Sequence, residues 1–377
     1  MASKQISDNR VKHLLFNVKS RIDESVWDLQ QTKPSMKVLT ADEMILKLND
    51  QIQRFLTTID VDGAKTFEHI KTWSHSEAAH YLLTQKTAAL AYFNMYELKK
   101  DKEYLDLAID IVNYTLEHQE PNGIFLMHNH PYLAQDEGPT TAGVIKALVQ
   151  AYKFTKDKKY LEHAQRAGSG VRNTIFHEKH GYIHTLGQEL WCTNINSSFA
   201  HSYLLLYNET GDEKYLIWAR DGIRFTLRAQ ETSGLFIYSE KLQHIFRSLY
   251  QALVLLTLIQ FNEFEESAKI TKAIDNGIKY AYTLQREDGS IKEPHMTCYS
   301  FLQSCTRFAH LFKLIDAEPQ FKKLEQFISK FFVNNKIFLE QTHNGLMRYG
   351  FRKRYIEANY VRMLEDLVNV ELCKLKI

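Results

Sequence analysis

Hydrophobic and polar positions along this chain repeat on a long period. Three stretches align with one another: KKDKEYLDLA from Lys99, TKDKKYLEHA from Thr155 and TGDEKYLIWA from Thr210. Each opens a run with apolar residues at helical spacing. In the first these are Tyr104, Leu105, Ala108, Val112 and Leu116. In the second they are Tyr160, Leu161, Ala164, Ala167 and Val171, and in the third Tyr215, Ala219, Ile223 and Leu227. Lys, Asp and Glu fill the opposite face, the pattern of an outer helix packed on one side. A polar-Gly pair follows each run, at Asn122-Gly123, His180-Gly181 and Ser233-Gly234. Fainter runs precede Asp288-Gly289 and Asn344-Gly345, and an amphipathic stretch from Ala41 to Thr58 precedes Asp62-Gly63. Glycine takes the left-handed conformation without a Cβ penalty, so each pair reads as the stop of its helix.

Between each glycine and the next outer run lies a second helical stretch, apolar on most faces. These stretches cover about 75–98, 139–154, 196–207, 246–262, 299–315 and 357–375, with segments such as ALAYFNMY, GVIKALVQAY and YQALVLLTLIQ. A helix apolar all round is buried all round, so these are inner helices. Six outer and six inner helices alternate. The first outer run lacks an inner partner before it and the last inner run lacks an outer partner after it, so joining the two closes a ring. An open solenoid would instead need polar capping repeats at its ends. The pattern predicts an all-α fold, an (α/α)6 toroid or six-hairpin barrel, over residues 41–377. Residues 1–40 stand outside it as a helical extension, VKHLLFNVKSRIDESVWDLQ, that breaks at Lys33-Pro34-Ser35.

A ring of this kind, with the turns Gln119…Gly123, Gln230…Gly234 and Gln285…Gly289, resembles a broad set of carbohydrate-active proteins. Among them are unsaturated glucuronyl hydrolases, polysaccharide lyases, sugar 2-epimerases, uronyl C5-epimerase domains and some polysaccharide-biosynthesis proteins. The turns also look like the QW-type repeats of terpene cyclases and prenyltransferases. The resemblance is one of architecture over nearly all of residues 41–377, and no single family signature accompanies it. Since fold does not give function, the site has to be argued from its residues.

Bulk properties narrow the field. Formal net charge is +2, from 47 basic and 45 acidic residues, which gives no field to attract nucleic acid. The N-terminus has no apolar signal core, and the longest apolar run, from Ala252 to Phe261, is too short to span a bilayer. Four cysteines without a CxxC pair point to a reduced, cytoplasmic protein. No P-loop, GxGxxG or GxSxG motif is present, so no cofactor is expected. Trp191-Cys192 looks like a zinc-ligand position of lanthionine cyclases, but their Cys-His pair is missing because Tyr299 follows Cys298, so no metal is expected. Asp60-Val61-Asp62-Gly63 is a turn and not the acidic motif of terpene cyclases.

The loops that leave each glycine turn are long and chemically loaded, whereas the opposite connections are short and merely soluble. Long loops on a rigid scaffold carry function, and here they gather at one mouth of the ring with the inner-helix N-termini. Asp136 and Glu137 are the candidate acid and base, with His75 and Tyr299 in support. Glu77, Glu293 and Glu357 are weaker second carboxylates that read more readily as structural. Arg247, Arg348 and Arg352 offer clamps for a carboxylate, bidentate by geometry. Trp73 and Trp191 offer stacking faces and Asn194 hydrogen bonds to sugar hydroxyls; His130, His184, His244, His295 and Tyr355 complete the substrate-binding set, in which a His with Tyr299 or Tyr355 could abstract a proton next to a carboxylate. The plainer roles are packing, ion pairing and, for Asn194 and Asn196, helix capping. The favoured reading is a carbohydrate-active enzyme on an acidic saccharide, working by hydrolysis, lysis or epimerisation. A non-catalytic sugar-binding scaffold and an isoprenoid or peptide cyclase remain as alternatives.

Overall fold

In a computed structural model, the structure describes residues 38–55, 82–126, 137–185, 191–239, 247–293, 299–333, 336–341, 343, 345–348 and 356–375. The expected helix in residues 1–40 and the turn at Gly63 lie outside these. The described residues form twelve helices in strict alternation. The outer ones are α1 (Ala41–Phe55), α3 (Lys102–Leu116), α5 (Lys158–Thr174), α7 (Glu213–Arg228), α9 (Ala268–Leu284) and α11 (Glu318–Ser329). The inner ones are α2 (Leu82–Lys99), α4 (Glu137–Thr155), α6 (Thr193–Thr210), α8 (Ser248–Phe264), α10 (Leu302–Leu314) and α12 (Ile356–Leu375).

Each inner helix packs on the inner helices before and after it, and α12 packs on α2 to complete the circle. Each outer helix backs one inner helix, and the last pair joins α12 to α1. The (α/α)6 ring closes as the alternation predicts. The repeated Asp of the aligned segments starts three outer helices. Asp101, Asp157 and Asp212 accept from the backbone N–H two residues on, at 3.0, 3.0 and 3.1 Å, which satisfies a donor the helix cannot. Between the layers the core is rich in rings, with Tyr92, Phe93, Phe199, Tyr203, Phe308 and Phe312 wholly buried on inner helices. Among the described residues no helix is long and apolar enough to cross a membrane.

The glycine turns differ from the expected helix stops. Outer helices end at Leu116, Arg228 and Leu284, several residues before Gly123, Gly234 and Gly289. Each glycine sits instead in the tip of a minute hairpin. Gln230 bridges Phe236, Gln285 bridges Ile291, and Gln341 in β1 (Glu340–Gln341) pairs with Met347 in β2 (Met347–Arg348). At Gln119, Gln230 and Gln285 the side chain closes its own turn and reaches the next outer helix, while Gln341 closes its own turn. Gln119 Nε2 donates to Gly123 O at 2.8 Å and to His163 O of α5 at 3.1 Å. Gln230 donates to Ala273 O of α9 at 2.7 Å, and Gln285 to Gln320 O of α11 at 2.9 Å. The glycine meets the same helix one turn on, where a Cβ on Gly123, Gly234 or Gly289 would collide with the carbonyl of Arg166, Asn276 or Lys323.

This geometry separates two glycines that share a positive φ. Gly234 (φ +92°) lies against Asn276 O, whereas Gly211 (φ +67°), the left-handed cap that ends α6, has nothing within 4 Å of a new Cβ. Gly234→Ala is expected to cost about 2–4 kcal/mol from strain plus overpacking, and Gly211→Ala about 1 kcal/mol from strain alone. Urea unfolding of the two variants checks the difference; equal costs would mean that the turn is not pressed against the next helix.

Candidate active site at the mouth of the ring

The residues that follow each glycine turn run back over the N-terminal end of an inner helix. Phe125 N donates to Thr141 Oγ1 at 2.9 Å, Tyr182 N to Asn196 Oδ1 at 2.9 Å and Phe236 N to Gln251 Oε1 at 3.0 Å. The inner helices are then capped from the following unit. Gly138 N donates to His184 O at 3.0 Å, Thr193 N to Tyr238 O at 2.9 Å and Leu302 N to Leu339 O at 2.7 Å. Ser248 N donates to a side chain, Glu293 Oε2, at 3.2 Å. The mouth is therefore a rim of backbone locked unit to unit, with inner-helix N-termini directed at it.

The sequence-predicted residues divide on this frame. Glu137 begins α4 and is buried, with His184 of the next unit crossing directly over Gly138. His184 Nδ1 lies 2.9 Å from Thr185 Oγ1. Asn194, in the first turn of α6, and Arg247, just before α8, line one small enclosed pocket with Phe236, Tyr238, Tyr250 and Val254. Both bring a buried polar atom without a hydrogen-bond partner among the described residues, Asn194 Oδ1 and Arg247 Nε. The Arg247 guanidinium also lies over the Phe301 ring, 5.2 Å from its centre. Glu293 stands beside it as the buried cap of α8; burial raises its pKa against the pull of Ser304 and Arg247.

Other predicted residues take structural positions. Tyr299 donates its hydroxyl to Asp288 Oδ2 at 3.0 Å, and Arg286 lies over its ring at 4.1 Å and donates to its carbonyl, so it braces the Gly289 turn. Trp191 is 7% exposed and bridges Ile183, which leaves little ring surface for stacking. Asn196 is spent on Tyr182 and Cys192. Arg348 has its backbone in β2, opposite Glu340; its side chain lies outside the described residues. So do Trp73, His75, His130, Asp136, His244, His295, Arg352 and Tyr355 altogether. Among the described residues no three His, Cys, Asp or Glu side chains group around a metal position.

Sequence reading missed a second cluster, one to three turns down the inner helices. Lys86 of α2, Lys146 of α4, His201 of α6 and Arg307 of α10 keep some accessible surface although protein surrounds them, as side chains lining an internal bore do. From α12, Asp366 reaches Arg307 Nε at 2.6 Å and accepts from Thr306 Oγ1 at 3.1 Å, while Glu365 lies 4.0 Å from the same guanidinium. Burial pushes Asp366 up to about 7 against the pull of Arg307. Burial, reinforced by Arg362, brings Lys86 down to about 7, and burial brings Lys146 down to about 8. His201 falls well below its ordinary value by burial and by the charge of Lys146. The available signal was a lone charge inside an apolar helix, as Lys146 is in GVIKALVQAY.

No family model matches the chain, and no curated protein sequence does. Solved structures do match. Cellobiose 2-epimerase from Bacillus thermoamylovorans is similar with a TM-score of 0.69 at 11% identity, over 86% of this chain and 99% of that one. Cellobiose 2-epimerase from Spirochaeta thermophila gives 0.67 at 13% identity, over 88% and 98%. A possible member of the GH105 family from Salmonella enterica gives 0.63 at 12% identity, over 92% and 97%. At such identities the likeness is one of fold, and the fold it confirms is the (α/α)6 toroid.

The depressed lysines have a consequence for stability. An unfolded Lys keeps its proton to about 10.5, while folded Lys86 holds it only to about 7. The unfolded chain therefore binds more protons between these values, and folding stability rises with pH across that window. The destabilisation is complete below the folded pKa and gone above the unfolded one. Urea unfolding between about pH 7 and about pH 9.5 should give a rising stability, and a flatter curve in Lys86→Met with Lys146→Met.

Proposed function

We propose that the mouth of this ring binds an acidic saccharide and transforms it by acid–base chemistry. The observation that carries the reading is the pair of buried polar atoms, Asn194 Oδ1 and Arg247 Nε, unpartnered among the described residues, that share one pocket at the mouth; at about 10 Å³ the pocket admits one hydroxyl or carboxylate oxygen, so the body of the sugar would lie outside it. Each such atom costs about 1–3 kcal/mol while it stays unpaired. A sugar offers what both lack, because its hydroxyl donates to the amide oxygen while a carboxylate accepts from the guanidinium. The stacked rings of Tyr238 and Tyr250, with centres 5.2 Å apart, form an apolar wall for the sugar face beside those groups.

The proton-transfer role falls to Asp136 and Glu137. Glu137 enters the first turn of α4, where the helix dipole favours its charged form, and His184 lies across the same turn. Hydrolysis, lysis and epimerisation all need one group to take a proton and another to give one. Tyr299 drops out of that pair because Asp288 holds its hydroxyl, and Glu293 drops out as the cap of α8. The architectural likeness to cellobiose 2-epimerases and to a possible GH105 member supports a saccharide as the substrate class.

A panel of neutral and uronate-bearing mono- and oligosaccharides, screened by thermal unfolding and by product analysis, tests this. Ligand that binds only the folded state raises the midpoint. A uronate-bearing sugar should do so, Arg247→Ala should lose the shift, and Glu137→Gln should keep the shift but lose turnover. Equal stabilisation by neutral sugars would remove the acidic assignment. No shift and no product across the panel would remove the saccharide.

A further inference from the structure

Beneath the mouth pocket the bore holds charge that the chemistry above does not use. Inner helices are buried on most faces, yet five of the six contribute ionisable side chains to this cluster. The exception is α8, whose ionisable residues are Tyr250 and the exposed Glu263. The cluster is not neutralised pair by pair. Arg307 is matched by Asp366 at 2.6 Å with Glu365 at 4.0 Å. Lys86 and Lys146, on the neighbouring helices α2 and α4, make no ion pair among the described residues.

Lys86 is nevertheless fixed in place. Its Nζ donates to Pro139 O at 2.8 Å, and its stem crosses α4 at Gly143, where any Cβ would collide with it. The glycine thus leaves a channel that the lysine fills. Lys146 sits further along the same helix, and its charge and that of Lys86 repel. His201 on α6 lies next to Lys146, and Arg307 and Arg362 add positive charge from α10 and α12. Glu365 is the acid that acts on both lysines. One amine fixed across Gly143 and a second, one turn along the same helix, neither in an ion pair among the described residues, face Glu365, an acid that already lies 4.0 Å from Arg307.

We propose that Lys86 and Lys146 form an anion subsite at the floor of the ring, taking the carboxylate or phosphate group of a bound sugar. The subsite deepens the saccharide reading and rests on it for the sugar alone, since a simple anion can occupy the same amines. Its occupation has a chemical signature. Without an anion, burial and like charge hold the two amines partly unprotonated above about pH 7. An anion between them favours the charged form, so each amine takes a proton from solvent as the anion enters. Below the folded pKa both are already charged and no uptake occurs. Above it, uptake grows and affinity then falls as pH climbs toward the ordinary value of 10.5.

Titration calorimetry on the whole protein at about pH 8, in two buffers of different ionisation enthalpy, reads that uptake directly. The probes are D-glucuronate, D-glucose 6-phosphate, D-glucose and inorganic sulfate. At least one acidic sugar should bind with net proton uptake, and the stronger of the two identifies the natural anion. Lys86→Met and Lys146→Met should each weaken it by about ten- to a hundredfold, the worth of one charged hydrogen bond. Both variants should melt at the same temperature as the parent or higher, because an unpaired buried charge gives way to an apolar chain of similar length. Acidic binding without proton uptake, or with unchanged affinity in both variants, overturns the subsite and leaves the saccharide reading standing. Sulfate bound with uptake, while no sugar binds, keeps the subsite and removes the saccharide. No binding by any of the four overturns the subsite.

Discussion

Everything in this ring hangs on how one outer helix is held to the next. Packing of apolar faces brings the helices together, but it is non-directional and does not set the angle of each step. The Gln-Gly hairpins do. Gln230 hydrogen-bonds Ala273 O while Gly234 presses on Asn276 O, one turn further along the same helix. A donor and a steric stop three residues apart fix both where the next helix lies and how it is rotated. The same pairing recurs at Gln119 with His163 and at Gln285 with Gln320. The ring closes where α12 meets α1 and α2, and the repeated directional contacts set three of its steps alike. The unit at Gly181 departs from this, with His177 in the Gln position and Gly181 set against Asn196 and Phe225; there the next outer helix is held by Tyr182, whose hydroxyl donates to Trp218 O at 3.0 Å.

A closed ring of inner helices leaves an axis, and the axis explains the lysines. In a two-layer bundle a charge on the buried face of a helix would meet apolar side chains. In a ring the innermost stripe of each helix faces the bore instead. Lys86 and Lys146 can therefore sit where burial depresses their pKa to about 7 and about 8 and the fold still closes around them. That placement subtracts from stability. Domains that keep such groups carry a local cost that the surrounding packing must outweigh, and functional sites are where costs of this kind concentrate.

The layout of the ring was legible in sequence because its determinants are local. Amphipathic period, an Asp at the helix start and a glycine turn each act within a few residues, as at Asp157 with Lys159. The role of the glycines was less legible. They read as helix stops, but their φ values serve hairpins whose partner residue lies 35 to 44 residues away, as with Gln119 and His163. The site was legible in part for the same reason. Asn194 and Arg247 stand beside inner-helix starts and do line a common pocket. Tyr299 and Glu293 looked like chemistry and are a turn brace and a helix cap. The bore lysines looked like nothing, since one polar residue in an apolar helix only blurs a periodicity, and which face it lies on depends on neighbours from other units.

Capping by the neighbouring unit has a consequence for how such a ring acquires function. The residue just before a helix is normally Ser, Thr, Asp or Asn, because its side chain must satisfy a backbone N–H. In this ring the next unit supplies that acceptor, from Tyr238 O for α6, Glu293 for α8 and Leu339 O for α10. The cap positions themselves hold Cys192, Arg247 and Phe301, and none of them caps its own helix. Those positions are thereby released from a structural duty while remaining fixed at the mouth by the backbone on either side. Arg247 uses that release to place its guanidinium between the Phe301 ring and the pocket. A ring whose units cap one another can thus vary its mouth side chains while the contacts that close the circle stay in place.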